Sequence, residues 1–142
     1  MNRILLTGFS GFTGKYILQS ATNFGVDIFC FSEDGTPNSK SINLLDYRAV
    51  LEKVKETKPT SVIHLAAISH VQHEPASDFY SVNIGGTRNL LQALSELPSE
   101  GLINTVFASS ANIYGNSKQV VLNETTPLKP VNDYGLSKKG ME

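Results

Sequence analysis

Four short apolar runs, at residues 3–7, 27–31, 61–67 and 103–110, punctuate the chain, and every gap between them is long enough to hold a helix. Strands spaced by helix-length segments cannot pair as hairpins. They pair in parallel through crossovers, which bury both sheet faces under helices. The gaps carry helical spacing: Ile17, Leu18, Ala21 and Phe24 share one face before Gly25 stops the helix. Asp46 caps a second helix with Tyr47, Val50, Leu51 and Val54 on one side, and Pro59 blocks its continuation. Ser77 or Asp78 starts a longer helix that turns Phe79, Val82, Gly86, Leu90, Ala93, Leu94 and Leu97 inward, and Pro98, Ser99 and Gly101 end it. Residues 110–133 read as loop, and a last helix opens from Asp133 onward.

The expected class is therefore α/β: a Rossmann-type, doubly wound parallel sheet in three αβα layers. It is incomplete, because four strands are readable where that fold has about six. At 142 residues the chain makes one domain, residues 1–142, and a net charge of −1 gives no electrostatic case for nucleic acid or an acidic membrane surface. No apolar stretch approaches the ~18 residues of a membrane span. The glycines follow the N-terminus too soon for a signal-peptide core, so a cytoplasmic protein is expected. Cys30, the single cysteine, sits in the run IFCF and reads as a buried strand thiol. The charged run at 52–58 reads as a solvated helix face.

The first strand hands over to the first helix through TGFSGFTG, with Gly8, Gly11 and Gly14 three apart. In a dinucleotide fold the first glycine makes the tight turn and the second lets the backbone approach a pyrophosphate. The third lets the helix pack on the strand, while free N–H groups and the helix dipole hold the anion. A tight turn with no ligand would use the same residues.

The spacing is GxxGxxG, and with it the sequence resembles the extended short-chain dehydrogenase/reductase family. Four further motifs match in order: HLAA at 64–67, VNIGGTRNLL at 82–91, FASSANIYGN at 107–116 and YGLSK at 134–138. Within that family the chain is most similar to the nucleotide-sugar branch of epimerases, dehydratases and 4-ketoreductases. The resemblance implies NAD or NADP as cofactor and a nucleotide-diphosphate sugar as substrate. A homodimer and a C-terminal substrate lobe beyond this truncated chain also follow from it.

Tyr134 and Lys138 lie four residues apart, so a helix projects both from one face. An ammonium near a phenol favours the phenolate, which suits proton exchange with a sugar hydroxyl or ketone. The resemblance adds that Lys138 holds the nicotinamide ribose and that Ser110 hydrogen-bonds the reacting oxygen. Taken singly, Tyr134 also fits an aromatic packed on a loop, and Lys138 a solvated charge.

By the same resemblance Gly8, Ser10, Gly11 and Phe12 surround the pyrophosphate, and Gly14 is a packing glycine. Asn43, where the family usually has Asp, and Leu44 bracket the adenine. Leu65, Ala66 and Ala67 line the adenosine-side ribose and phosphates. Asn83 either contacts cofactor or bonds nearby backbone. The acidic residue for the adenosine ribose falls on Ser32, eighteen residues beyond Gly14, with Glu33 next. A carboxylate there repels the extra phosphate of NADP, with Lys40 as the candidate contact for that phosphate, so the lean is to NAD.

Family dehydratases carry acidic residues in the two positions after the catalytic Ser or Thr. Here those are Ala111 and Asn112, which disfavours dehydration and leaves epimerase or 4-ketoreductase. The alternatives are a dinucleotide-binding fragment without turnover, able to pair through its sheet edge, and a redox-sensing regulator on the same fold. His70, His73 and Glu74 stand close in sequence but lack a convincing further ligand, so no metal is expected. His64 reads as a satisfied core residue, and the resemblance puts His70 where family members contact substrate or phosphate.

Overall fold

The computed structural model describes residues 3–98, 101, 104–119 and 121–142. Ser99 and Ile103, expected at a helix end and a strand start, lie outside them. The chain divides into two compact units, Met1–Ala66 with Asn89–Ala108, and Ala67–Arg88 with Ser109–Glu142.

The first unit holds a Rossmann-like α/β sheet. Strands β1 (Ile4–Thr7), β2 (Ile28–Cys30), β3 (Ser61–His64) and β4 (Asn104–Phe107) pair in the order β2-β1-β3-β4, all parallel. Alternation sorts their side chains. Leu5 and Val62 point to one face, where Val50 and Val54 of α2 (Tyr47–Thr57) and Leu90, Ala93 and Leu94 of α3 (Thr87–Ser95) cover them. Leu6, Ile63 and Cys30 point to the other, under Ile17 and Leu18 of α1 (Phe12–Phe24). Each fully buried Leu or Val contributes about 1.5–3 kcal/mol, so the two small cores hold the layers together. Burial also pushes the Cys30 thiol pKa up, with Asp34 adding to the shift.

Helix ends follow the sequence closely. Gly25 takes a left-handed φ of 64° and returns its N–H to Ala21 and Thr22. Asp46 accepts from the Ala49 amide at the start of α2. Three strands are shorter than expected: β2 covers only Ile28–Cys30, β3 stops at His64, and β4 stops at Phe107. The Leu65 amide still donates to the Thr7 carbonyl at 3.3 Å, but the Ala66 amide turns to the Thr7 hydroxyl at 3.1 Å, and the ladder ends there.

The expectation of a fully solvated face at 52–58 is corrected. Lys53 is buried with Val50, Val54 and Thr57. Its ammonium donates to the Glu33 carbonyl at 3.0 Å and to the exposed Glu56 at 2.9 Å, so the stem is buried while the charge is met at the surface.

The second unit is helical. The segment expected to be one long α-helix begins as a π-helix, Phe79–Gly86, before becoming α3. Of the face read as inward, Phe79, Gly86, Leu90, Ala93 and Leu94 are buried, and Val82 and Leu97 are half-buried. Residues 110–133, expected as loop, contain a 3-10 turn at Ala111–Tyr114. Helix α4 (Asp133–Met141) follows, capped by Asn132 through Gly135 N–H at 2.7 Å. It packs on the π-helix: the Phe79 and Tyr134 rings lie 6.0 Å apart, and the Tyr80 hydroxyl donates to Asp133.

Candidate functional site

In the first unit the glycine turn is built by contact. Gly8 has φ +69°, and a Cβ there would sit 2.6 Å from the Ala66 nitrogen and 2.7 Å from the Leu65 carbonyl carbon. The turns after β1 and β3 therefore meet backbone to backbone. Below them Thr7 and His64 are buried, with Thr7 Oγ1 2.7 Å from His64 Nδ1. His64 is thus a satisfied core residue. A Cβ on Gly14 would lie 2.4 Å from the Gly8 carbonyl oxygen, which fixes it as a packing glycine.

Gly11 is different. It is exposed, it starts α1 without any side-chain cap, and a Cβ would meet only the Gly8 oxygen at 3.3 Å. The first amides of α1 are thus presented bare, between exposed Ser10 and Phe12. Bare amides at a positive helix end suit a diphosphate, and this arrangement fits a dinucleotide cofactor.

The other expected cofactor residues have mixed surroundings. Ser32 is buried, and its hydroxyl donates to the Thr36 carbonyl at 2.7 Å. Asn43 is exposed and turns its Oδ1 to the Leu45 amide, while Leu44 is buried in the core and its carbonyl accepts from Asn89. Leu65, Ala66 and Ala67 are half-buried. Glu33 stays exposed, its carbonyl held by Lys53. Sequence reasoning missed Lys53, although positions 50, 53, 54 and 57 share one helical face.

In the second unit, Ser110 begins the 3-10 turn, and its Oγ accepts from the Asn112 backbone amide at 3.2 Å and side-chain amide at 3.3 Å. An oxygen occupied as acceptor keeps its own proton to donate. The turn sits on α4 so closely that a Cβ on Gly135 would lie 2.7 Å from the Asn112 carbonyl oxygen. Tyr134 and Lys138 are both on the buried side of α4. Lys138 is 3 % exposed, which rules out a solvated charge, and burial pushes its ammonium pKa down.

Asn83 is fully buried on the π-helix. Its Oδ1 accepts the Ile68 amide at 2.8 Å, and its Nδ2 donates to the Ile68 carbonyl at 3.1 Å and to Ser137 Oγ at 2.9 Å. Of the two readings of this residue, the structure has the bond to nearby backbone. His73 pairs with Asp78 at 2.9 Å against the Phe79 ring, and His70 is exposed. Among the described residues no three His, Cys, Asp or Glu side chains gather around a metal position. No helix among them is long and apolar enough to cross a membrane.

The chain is similar in sequence and fold to known proteins. GDP-6-deoxy-D-talose 4-dehydrogenase of Aggregatibacter actinomycetemcomitans is 35 % identical over 99 % of this chain and 46 % of its own length. The Thermus thermophilus UDP-glucose 4-epimerase, solved with NAD, superposes with a TM-score of 0.82 at 29 % identity, covering 98 % of this chain and 48 % of that one. RMD from Pseudomonas aeruginosa, solved with NADPH, gives 0.80 at 27 % identity, covering 99 % and 47 %. The chain spans about half the length of the curated relatives it matches. Residues 4–142 match one family throughout, so the chain belongs to the NAD dependent epimerase/dehydratase family.

Proposed function

We propose that the protein this chain belongs to is an NAD(P)-dependent nucleotide-sugar epimerase or 4-ketoreductase. Tyr134 exchanges the proton, Ser110 hydrogen-bonds the reacting oxygen, and Lys138 supports the phenol and the nicotinamide ribose. The observation that carries this reading is a lysine buried one helical turn from Tyr134, in the unit where Ser110 keeps a proton to donate. Keeping an ammonium out of water is costly, and such a position suits proton-transfer chemistry. When bound, the nicotinamide supplies hydride exchange. The chain's own residues handle the proton and orient the substrate oxygen.

Ala111 and Asn112 follow Ser110 and neither is an acid or base, which favours epimerisation or ketone reduction over loss of water. Gly8, Gly11 and Gly14 with Ser10 and Phe12 form the pyrophosphate seat, and the exposed Glu33 favours NAD over NADP. We place the adenosine half against Ser32, Asn43, Leu44, Leu65, Ala66 and Ala67, with Asn83 acting through the backbone it holds. Cytoplasmic location and dimerisation belong to the same proposal.

A second reading is favoured by length, because the chain covers less than half of its curated relatives: a dinucleotide-binding piece without turnover. Calorimetry with NAD and NADP, together with a turnover assay on UDP- and GDP-hexoses, separates the two. The expected result is NAD binding that Gly11→Ser weakens. Turnover supports the enzyme reading, binding without turnover supports the second, and no binding of either cofactor defeats both. Elimination of water from a sugar nucleotide would remove the epimerase/reductase assignment.

A further inference from the structure

A cavity of about 490 Å³ opens at the N-terminal ends of the strands, among Arg3, Lys55, Lys58, Pro59, Glu96 and Leu97. It lies in the first unit, before β1, whereas the glycine turn follows β1. One strand of four residues, roughly 13 Å, separates the two. The dinucleotide seat therefore does not account for it.

Its charges are arranged rather than scattered. The Arg3 backbone is bonded to Thr60 through N–H to Oγ1 at 2.9 Å, and its Nε donates to the Lys58 carbonyl at 2.8 Å. The guanidinium is thereby clamped before any ligand arrives, leaving its terminal N–H groups to make a fork. Lys55 is paired with Glu96 at 3.0 Å, and Glu96 also accepts the Tyr47 hydroxyl, so the carboxylate on the wall is already engaged. No carboxylate among the described residues pairs with Lys58.

Lys58 also has an unusual backbone. At φ 45° it is the single described non-glycine residue with positive φ, in the cap position of α2 where glycine is the cheaper choice. Helix-end carbonyls attract cations too. That attraction accounts for a lysine in the last turn, where Lys55 already stands, but not for one in a left-handed position. Leu97 and Pro98 give the cavity an apolar wall, and its volume falls in the range of small-molecule sites.

We propose that this cavity is a second ligand site, for a small organic phosphate whose phosphoryl group is held by Arg3 and Lys58 and whose body lies on Leu97 and Pro98. Nothing in the proposal requires turnover or a bound dinucleotide.

The test is titration of the isotopically labelled 142-residue chain with uridine monophosphate, inorganic phosphate and uridine, followed through backbone amide shifts. The nucleotide should shift Arg3, Lys58 and Leu97 saturably, phosphate should bind more weakly, and uridine should leave these signals in place. Lys58→Gly is the decisive variant, because it relieves the backbone while removing the ammonium. It should raise Tm, weaken nucleotide binding about tenfold or more, and leave NAD binding unchanged. Arg3→Lys should also weaken binding through loss of the fork. The proposal is overturned if the nucleotide causes no saturable shift at these residues, if Lys58→Gly binds it as tightly as the parent, or if NAD displaces it.

Discussion

Gly14 illustrates how little freedom a single position can have. A methyl group there would need space already held by the Gly8 carbonyl oxygen and the Phe9 backbone, at 2.4 and 2.6 Å. Backbone cannot rotate aside as a side chain does, so Gly14→Ala should cost about 1–3 kcal/mol, read as a lower urea midpoint. Lys138 makes a prediction in the pH domain. Burial lowers its pKa below the ordinary 10.5, so between the two values the unfolded chain binds more protons than the folded one. Stability then rises with pH through that alkaline window, and the cost of the buried charge is fully present below it. Lys138→Met should flatten this slope in urea midpoints measured against pH, and should abolish any turnover. The glycines were readable because spacing alone exposes them. Lys138 was readable by its spacing from Tyr134, but the burial of Lys53 was not, because a charged residue reads as solvated until the turn it faces is known.

At the scale of elements, the three helices that follow loops begin differently. Asp46 caps α2 and Asn132 caps α4 with side-chain oxygens, whereas α1 begins at Gly11 with none. Asn132→Ala should therefore cost about 1 kcal/mol of stability, measured by thermal or urea melting. Gly11→Ser should do the reverse at α1, adding a cap oxygen where the diphosphate is proposed to sit. Its Tm should hold or rise while NAD affinity falls about tenfold, by calorimetry. Strand and helix order was legible throughout, since each apolar run and each stop residue is local. The π-helix at Phe79–Gly86 was not, because its inward face repeats nearly as an α-helix does. A polar Asn83 among apolar positions and the Gly85-Gly86 pair were the available signals. The 3-10 turn at Ala111–Tyr114 hid inside loop composition, its one cue being Ser110 in a capping position.

Across the molecule, the two proposed roles fall in different units. The glycine turn belongs to a sheet with a core on each face, while Ser110, Tyr134 and Lys138 belong to a helical unit with no named strand among its described residues. Amide exchange should therefore be slowest in β1 and β3, which are flanked on both sides, and NAD should first slow exchange around residues 8–14. At the sheet margin, β4 pairs only with β3 among the described residues, and Val106 is 58 % exposed. Such an edge recruits other strands. Sedimentation should show concentration-dependent self-association that Val106→Lys reduces; identical behaviour of parent and variant would remove the edge as its cause.

Asn83 has a consequence for motion. One amide grips both backbone polar groups of Ile68 and also the hydroxyl of Ser137, which stands between Tyr134 and Lys138. Any tilt of the last helix therefore pulls on the stretch after HLAA, and any displacement of that stretch is felt at the proton-exchanging turn. The clasp works as a linkage: neither partner can shift alone.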